Sequence, residues 1–524
     1  MTESAASQLD QIKTGYGFEG AALELGVAMH GGEPQPGVPV RLPLAMMNRH
    51  GLVAGATGTG KTKTLQVMAE QLANQGVPVF VADIKGDISG LATAGESNDK
   101  LLKRTQALGQ EWTPTAFPTE FLSLGGRGKG VPIRATMTSF GPTLLSKVLG
   151  LNDTQESTLG LIFHWADKNG LALLDLKDIR SVIAYLTSDE GKPELKAIGG
   201  VSTQTAGVIL RALTNLEAAG GDTFFGEPEL NPKDLLRLAP DGRGIITLFE
   251  LGDQAANPVL FSTFLMWILA DLFEFLPEVG DVDKPKLVFI FDESHLLFND
   301  ASKAFIAQVV QTVKLIRSKG VGVFFCSQLP TDIPNDVLSQ LGARIQHALR
   351  AFTPDDQKAL SKTVKTYPVS DVYKLDQALT SLGTGEAIVT VLSEKGAPTP
   401  VAWTVIRAPR SSMEAVAAAD ITAAAKASPL YQTYGTAVDN ESAYEKLAAK
   451  MLSPGESPDA PAPTPPAQTP APTPAPVPAP APEEPGMITE ILTSQPMQRF
   501  LRNAASQAGR EFSRAIFGTG RRRR

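Results

Sequence analysis

Residues 55–62 read Gly55-Ala56-Thr57-Gly58-Thr59-Gly60-Lys61-Thr62, between a strand-like run at 50–54 and a helical pattern that begins at Lys61. The spacing is that of a G-x-x-x-x-G-K-T phosphate-binding loop. Its glycines let successive backbone N–H groups surround a phosphate, the helix N-terminus adds a positive dipole end, and Lys61 adds a point charge. We therefore predict that these eight residues bind a nucleotide and that Thr62 also ligates Mg²⁺. The alternative is a glycine-rich turn.

A second motif is the apolar run 287–291, which ends in the two carboxylates Asp292 and Glu293. In a parallel sheet the carboxyl end of such a strand lies beside the phosphate loop, where Asp292 can hold Mg²⁺ and Glu293 can polarise an attacking water. The alternative is a strand followed by a helix-capping aspartate. The adjoining Ser294 and His295 are expected to be structural, because phosphate hydrolysis requires no histidine.

A third apolar run, 321–327, ends at Gln328. If its strand neighbours the other two, the Gln328 amide lies near the γ-phosphate and senses hydrolysis; the alternative is an amide that caps a loop. Cys326 lies inside this run and is expected to be a core residue. Asp83 ends another predicted strand, and the sequence leaves it equally compatible with support of Mg²⁺ and with a simple turn.

Several arginines are candidates for neutralising charge on the transferred phosphate. Arg317 ends a predicted helix, where a basic residue also complements the helix dipole, and in ring ATPases an arginine there can reach a neighbour's nucleotide. Arg350 and Arg344 are weaker candidates for this role. Arg49, just before the phosphate-loop strand, could face the nucleotide of its own subunit.

The composition limits the class of protein. The 524 residues carry a formal net charge of −7 and 43% hydrophobic residues, which excludes a globally basic nucleic-acid coat and favours a packed globular protein. The single cysteine and the absence of a basic-apolar leader at the N-terminus predict a cytoplasmic location. The most apolar stretch, 261–276, contains Asp271 and Glu274, so we predict a buried helix and no transmembrane segment.

The order of the predicted elements favours an α/β fold with a mainly parallel sheet. The clearest strands are expected at 50–54, 77–83, 244–251, 287–292, 320–327, 343–349 and 386–392. We divide the chain into an N-terminal extension at 1–40, a first part of the ATPase core at 41–138, a helical insertion at 139–220, a second part of the core at 221–415 and a helical part at 416–452.

Two further segments follow. Residues 453–485 are rich in proline and alanine and are expected to form a disordered linker. Residues 486–524 combine apolar residues at helical spacing with many arginines, so we predict a basic amphipathic tail helix. Such a helix could dock on the body of the protein or contact an anionic partner such as nucleic acid or a membrane surface, or another protein.

These motifs together resemble a known family. The segments NRHGL before GATGTGKT, LVFIFDE at 287–293, RSKGVGVFFCSQLPTDIPNDVLSQLGARIQHALR at 317–350 and TPDDQKAL at 353–360 are similar to those of the HerA/FtsK superfamily of RecA-fold motor ATPases, closest to its YjgR-type, HerA-like branch. The resemblance covers about residues 40 to 410. Only 48 residues precede Arg49, too few for the full N-terminal β-barrel of HerA itself.

The resemblance implies a RecA-like P-loop NTPase fold, ATP and Mg²⁺ as cofactors and a homo-oligomeric ring of six subunits. It implies motif roles for Lys61, Thr62, Asp292, Glu293 and Gln328, and an intersubunit role for Arg317. The function we expect first is an ATP-hydrolysing motor, translocase-like or helicase-like, acting on double-stranded DNA in the pore of the ring. The alternative is a regulatory or remodelling ATPase that acts on a protein partner without DNA.

Overall fold

A computed structural model of the chain describes residues 3–451, except 198, 251–257, 299–302 and 371. The linker and the tail helix predicted at 453–485 and 486–524 lie outside the described residues. The strands are β1 Ala22–His30, β2 Glu33–Pro43, β3 Gly51–Ala54, β4 Val79–Asp83, β5 Thr119–Leu124, β6 Val131–Ile133, β7 Ile246–Glu250, β8 Leu287–Phe291, β9 Val321–Ser327, β10 Ala343–Gln346, β11 Glu386–Thr390 and β12 Ala402–Ile406.

The helices surround this sheet and include several short ones. They are α1 Glu3–Gly15, α2 Lys61–Asn74, α3 Asp99–Ala107, α4 Met137–Leu149, α5 Asp153–Lys168, α6 Leu176–Thr187, α7 Lys192–Ala197, α8 Thr203–Ala218, α9 Pro258–Phe275, α10 His295–Phe298, α11 Lys303–Ile316, α12 Asn335–Leu338, α13 Pro354–Val364, α14 Leu375–Ser381, α15 Ala418–Ala427, α16 Pro429–Tyr434 and α17 Ala443–Met451.

The described strands form one sheet in the order β2-β1-β12-β11-β10-β3-β9-β8-β4-β7-β5-β6. The strands from β10 to β6 pair in parallel, and β11, β12, β1 and β2 extend the sheet in antiparallel pairs. The predicted α/β class with a mainly parallel sheet is therefore confirmed. A strand is present in each of the seven predicted ranges, although most end one to three residues earlier than predicted.

The central parallel strands are continuously apolar because helices cover both faces of the sheet. Every residue of β3, β4, β7, β8 and β9 is buried. On one face Phe80 stacks on Phe289, with ring centroids 4.4 Å apart. Burying one such ring contributes about 1.5–3 kcal/mol, so this layer holds the strand ends, and the polar residues that follow them, in fixed positions.

The N-terminal residues belong to the sheet. A two-residue turn at Gly31 and Gly32, with φ of 60° and 82°, joins β1 to β2 as a hairpin, and such a turn requires residues that adopt positive φ. β1 then pairs with β12, near the end of the described core. The segment predicted as an N-terminal extension thus supplies two strands.

Helices α4–α8 follow β6, in the region predicted to hold a helical insertion. Their shared core includes Trp165 and Tyr185, whose rings stack with centroids 5.5 Å apart. The last described helix, α17, packs on α6, where the buried Asp178 accepts a hydrogen bond of 2.9 Å from the backbone N–H of Tyr444. The helical part predicted at 416–452 is therefore in contact with the helical insertion, through α17 and α6.

Candidate functional site

Four neighbouring parallel strands bring the predicted site residues to one edge of the sheet. β3, β9, β8 and β4 lie side by side in that order, so their carboxyl ends meet. The phosphate loop follows β3, Gln328 follows β9, Asp292 and Glu293 follow β8, and Asp83 ends β4. The edge therefore holds a glycine-rich loop, a lysine, an amide and three carboxylates.

The phosphate loop is held by backbone contacts to its neighbours. The N–H of Gly55 donates to Ser327 O at 3.3 Å, and the N–H of Ala56 donates to Ala348 O at 2.8 Å. Lys61 Nζ donates to Gly55 O at 2.7 Å and to Ala56 O at 3.2 Å. The ammonium thus lies over the loop, at the place where a phosphate-binding lysine is required.

Two positions of the phosphate loop require glycine for steric reasons. A Cβ at Gly55 would lie 2.5 Å from His347 Cβ, and one at Gly60 would lie 3.2 Å from Gly385 Cα. Their φ values are 149° and 114°, in the region that favours glycine. Within the loop, Thr59 Oγ1 donates to Ala56 O at 2.7 Å, while Thr57 and Gly58 are exposed and Thr62 is half-buried at the start of α2.

The His347 side chain packs against the phosphate loop and stabilises it, a role that the sequence did not reveal. The buried ring donates from Nδ1 to Glu386 O at 2.8 Å, because a carbonyl can only accept, and Nε2 then accepts from Thr64 Oγ1 at 2.9 Å. Burial lowers the pKa of His347 to about 4. The neutral ring thereby joins β10, β11 and the first turn of α2.

A pH-dependent stability follows from His347. Its folded pKa of about 4 lies below the ordinary 6.5, so its contribution to stability is complete above pH 6.5 and is lost as the pH falls to 4. We expect the difference in unfolding free energy between wild type and His347→Gln to shrink by up to about 3 kcal/mol over that interval. Denaturant unfolding at several pH values measures it, and a constant difference would contradict the neutral, buried ring.

Asp292 and Glu293 end β8 in different environments. Asp292 is buried, its Oδ1 accepts from the backbone N–H of Glu293 at 2.9 Å, and burial raises the pKa of its carboxyl, with the charge of Glu293 adding to the effect. Both carboxyls face the same edge as the phosphate loop. Burying a charged carboxylate is unfavourable, and a bound cation offsets part of that free energy. Asp292 is therefore well suited to bind Mg²⁺.

Glu293 has an unusual backbone and two basic neighbours. Its φ is 46°, which is uncommon for a residue with a side chain and is frequent at functional sites. Oε1 forms an ion pair with Lys85 Nζ, and Oε2 lies 3.3 Å from His295 Nδ1. Ser294 Oγ donates to Cys326 O at 2.9 Å, as a structural residue would, whereas His295 lies against the carboxylate.

The Asp83 side chain shapes the loop after β4. Its two oxygens accept hydrogen bonds of 2.9 Å from the N–H groups of Gly86 and Ile88. Burial raises the pKa of this carboxyl to about 7, and the charge of Asp292 contributes. Of the two roles that the sequence left open, these contacts favour the turn, because both oxygens are engaged by the loop that carries Lys85.

Gln328 lies directly beyond β9, with an exposed side chain next to the strand whose Ser327 carbonyl accepts from the phosphate loop. The loop after it is fixed by Asp332, whose Oδ2 accepts from the Leu329 N–H at 2.9 Å. Cys326 is 1% exposed, and burial raises the pKa of its thiol, in agreement with a core residue.

The two principal arginine candidates lie at the opposite edge of the sheet. Arg49 precedes β3 and Arg317 begins a short 3₁₀ turn before β9, so β3 and β9 separate them from the phosphate loop of the same chain. They line a cavity of about 810 Å³ together with Lys314 and Arg344. The expectation that Arg49 faces the nucleotide of its own subunit is therefore corrected, because it stands at the amino end of the strand and the loop follows the carboxyl end.

The arginine cavity contains donors that the described part of the chain does not satisfy. Arg49 Nη2 is 3.6 Å from Asp281 Oδ1, and Arg344 Nη2 donates to Leu338 O at 3.3 Å. Arg49 Nε and Arg344 Nη1 are buried and have no hydrogen-bond partner among the described residues. Unsatisfied buried guanidinium donors favour an anion as the missing partner. The weaker candidate Arg350 is exposed beyond β10, on the phosphate-loop edge.

Two kinds of feature are absent from the described residues. No helix there is both long and apolar enough to cross a membrane. No group of three or more His, Cys, Asp or Glu side chains there forms a metal cage. Nucleotide-bound Mg²⁺ usually takes one or two protein ligands and the phosphates themselves, so Thr62 and Asp292 suffice as a donor set.

The family model and the two relatives that match this chain are all described as helicases. The family described as "Helicase HerA-like C-terminal" matches residues 29–524. The chain is 24% identical over 362 residues to "Probable helicase MJECL08" of Methanocaldococcus jannaschii, covering 66% of this chain and 64% of that protein. It is 22% identical over 360 residues to "DNA double-strand break repair helicase HerA" of Saccharolobus solfataricus, covering 67% and 63%. The chain thus spans less than two thirds of either relative's length.

Among solved structures, the conjugative coupling protein TrwB lacking its first 70 residues, in complex with sulphate, is similar to this chain. It matches with a TM-score of 0.50 and 15% identity, covering 79% of this chain and 94% of that one. At that identity the likeness concerns the fold alone.

Proposed function

The chain belongs to the HerA-like helicase C-terminal family, and from this premise we propose that it is an ATP-hydrolysing motor that acts as a ring on double-stranded DNA. The observation that carries the proposal is the adjacency of β3, β9 and β8, since it gathers Lys61, Gln328 and Glu293 at one edge of the sheet. The homologous helicases support the motor class, and family membership supports ATP as the nucleotide.

The residues at the edge divide the reaction between them. Lys61 and the loop amides bind the phosphates of ATP, and Thr62 and Asp292 would hold Mg²⁺. When bound, the ion supplies positive charge for the β- and γ-phosphates. Glu293 orients the attacking water and takes its proton. The exposed Gln328 contacts the γ-phosphate, and when that phosphate is lost, Gln328 changes the position of the loop after β9.

The arginine cavity suggests how subunits cooperate. Arg317 and Arg49 lie together at the edge opposite their own phosphate loop. In a head-to-tail ring this edge of one subunit can meet the nucleotide of the next, where both guanidinium groups would neutralise charge that develops on the phosphate. A closed ring of six is the assembly we propose, and the cytoplasm is the proposed location.

Stimulation by DNA tests the substrate. We expect steady-state ATP turnover of the full chain to rise when duplex DNA is added at about 50 mM salt and the rise to fade towards 200 mM, because phosphate contacts release counterions and weaken steeply with salt. Lys61→Ala gives the background rate. The acidic net charge does not oppose DNA binding, since a ring can concentrate its basic residues in the pore.

Other results would redirect the proposal. Turnover that depends on Lys61 but ignores DNA at every salt concentration would favour the alternative, a remodelling ATPase with a protein partner, and the basic tail at 486–524 would become the first place to search for that partner. Turnover that does not depend on Lys61 would contradict the ATPase itself.

A further inference from the structure

A second basic cavity lies beside β5 and β6. Its volume is about 320 Å³, and its lining includes Lys129, Arg134 and Lys426 but no aspartate or glutamate. In the sheet, β5 is five strand positions away from β3, so at about 4.8 Å per position the cavity is roughly 20–25 Å from the phosphate loop. It shares no lining residue with the arginine cavity. It is therefore separate from both sites described above.

Arg134 is a buried cation whose donors are only partly used. It follows β6 and is 9% exposed, and its Nη1 donates to Tyr434 O, at the end of α16, at 3.1 Å. Among the described residues, Nε and Nη2 have no acceptor and the guanidinium has no carboxylate partner. Burial lowers the pKa of Arg134, because the charged form is poorly solvated there. An anion in the cavity would offset that unfavourable solvation and satisfy the remaining donors.

The loop between β5 and β6 brings Lys129 to the same cavity. Residues 125–130 read Gly-Gly-Arg-Gly-Lys-Gly, and Gly125 and Gly126 have φ of 58° and 74°, a conformation that glycine adopts without strain. Burial raises the pKa of Glu250, at the end of β7, and the charge of Lys129 lowers it. The two side chains form no ion pair within the described part of the chain, so the Lys129 ammonium is available to another anion.

Lys426 approaches the cavity from a different part of the chain. It lies on α15, which packs on β5, while α16 packs on β6. Its side chain is exposed and has no ion-pair partner among the described residues. The hydroxyl-bearing Thr422 and Tyr431 also line the cavity. Three cations thus converge from three segments, without an acid among them, in a chain whose net charge is −7. This arrangement favours an anion site over a solvated surface.

We propose that this cavity binds the phosphate group of a small molecule, either inorganic phosphate or a phosphate monoester. Its volume is at the lower end of the range for small-molecule sites. Nε and Nη2 of Arg134 form the fork that can donate to two phosphate oxygens at once. Lys129 and Lys426, both exposed, would neutralise the remaining charge at the mouth of the cavity. The site is additional to the proposed ATPase function.

The test is equilibrium dialysis of the full-length protein against labelled inorganic phosphate, with ribose 5-phosphate as competitor. The parent protein carries Lys61→Ala, which weakens phosphate binding at the phosphate loop. We compare it with the same protein carrying Lys129→Met, Lys426→Met or Arg134→Gln. We expect each of the three to bind phosphate about ten-fold more weakly or worse, because each removes a charged hydrogen-bond donor.

The matched control is Lys103→Met in the same parent. Lys103 is an exposed lysine on α3 that does not line the cavity, so its loss should leave phosphate affinity unchanged. Arg134→Gln also removes the bond to Tyr434 O and can lower the unfolding temperature. The two lysine variants therefore decide the matter, since their exposed side chains contribute little to folding.

Two outcomes would overturn the inference: a parent protein that binds neither phosphate nor ribose 5-phosphate at millimolar concentration, or equal affinity in the parent and in both lysine variants. Weaker binding in the lysine variants supports it. The ligand is then a phosphate ester if ribose 5-phosphate binds more tightly than phosphate, and the free ion if it binds less tightly. Because the readout is binding in a Lys61→Ala background, it does not depend on ATP turnover.

Discussion

Glu293→Gln lowers ATP turnover by roughly 10²- to 10⁴-fold, the usual contribution of a general base, and leaves ATP binding intact. The physical reason is that glutamine has nearly the shape of glutamate but cannot accept the proton of the attacking water. Binding persists because Lys61, the loop amides and Asp292 are untouched. Phosphate release measures turnover, and titration with a fluorescent ATP analogue measures binding.

The matched control is Glu278→Gln, at an exposed glutamate after α9, which should keep the wild-type rate. Wild-type turnover in Glu293→Gln would remove Glu293 from its proposed role. Loss of both binding and turnover in Glu293→Gln would indicate a damaged site instead, and the unfolding temperature would then be expected to fall as well.

Arg317→Ala is expected to lower turnover by roughly 10³- to 10⁵-fold, the effect of losing an arginine that stabilises the transferred phosphate. Nucleotide binding by each chain should persist, because Arg317 lies at the edge opposite its own phosphate loop. The matched control is Lys319→Ala in the same turn, whose ammonium lies over the Phe273 ring. That variant loses a basic group without removing the proposed phosphate contact.

Mixing inactive variants tests whether Arg317 acts on a neighbour. Arg317→Ala chains retain Lys61, and Lys61→Ala chains retain Arg317, so a mixed ring contains some interfaces that have both groups. We expect the mixture to regain part of the activity that each variant lacks alone. A mixture as inactive as its components would argue against action between subunits, and full activity of Arg317→Ala would leave Arg317 as a helix-end residue.

The central strands of the fold were predictable, but its antiparallel part was less so. Continuous apolar runs made β3, β4, β8 and β9 recognisable, because strands covered on both faces carry little else. β2 contains Pro34, Pro36, Pro39 and Pro43, which argue against a strand. It tolerates them because it lies at the edge of the sheet. The N–H groups on the outer side of an edge strand have no partner strand, so a proline that lacks an N–H costs no hydrogen bond there. The Gly31-Gly32 turn was the signal that could have identified the hairpin.

The site was predictable where a local pattern encodes the chemistry. The phosphate loop and the carboxylates after β8 are such patterns, and the structure gathers them at one edge. Lys85 and His347 have no pattern of their own. Lys85 meets Glu293 only because β4 pairs with β8, and His347 reaches Thr64 only because β10 pairs with β3. Arg49 was misjudged for a related reason, since nearness in sequence to a loop does not say which end of the strand a residue occupies.

The pairing of β3 has a consequence for synthesis of the chain. Among the described strands, β3 at residues 51–54 pairs with β9 and β10, which begin at Val321 and Ala343. At about 5–20 residues per second a ribosome needs roughly ten seconds to a minute to make the residues between them. During that time the nascent phosphate-loop strand has no partner strand. β3 can therefore enter the sheet only after β9 and β10 have been made.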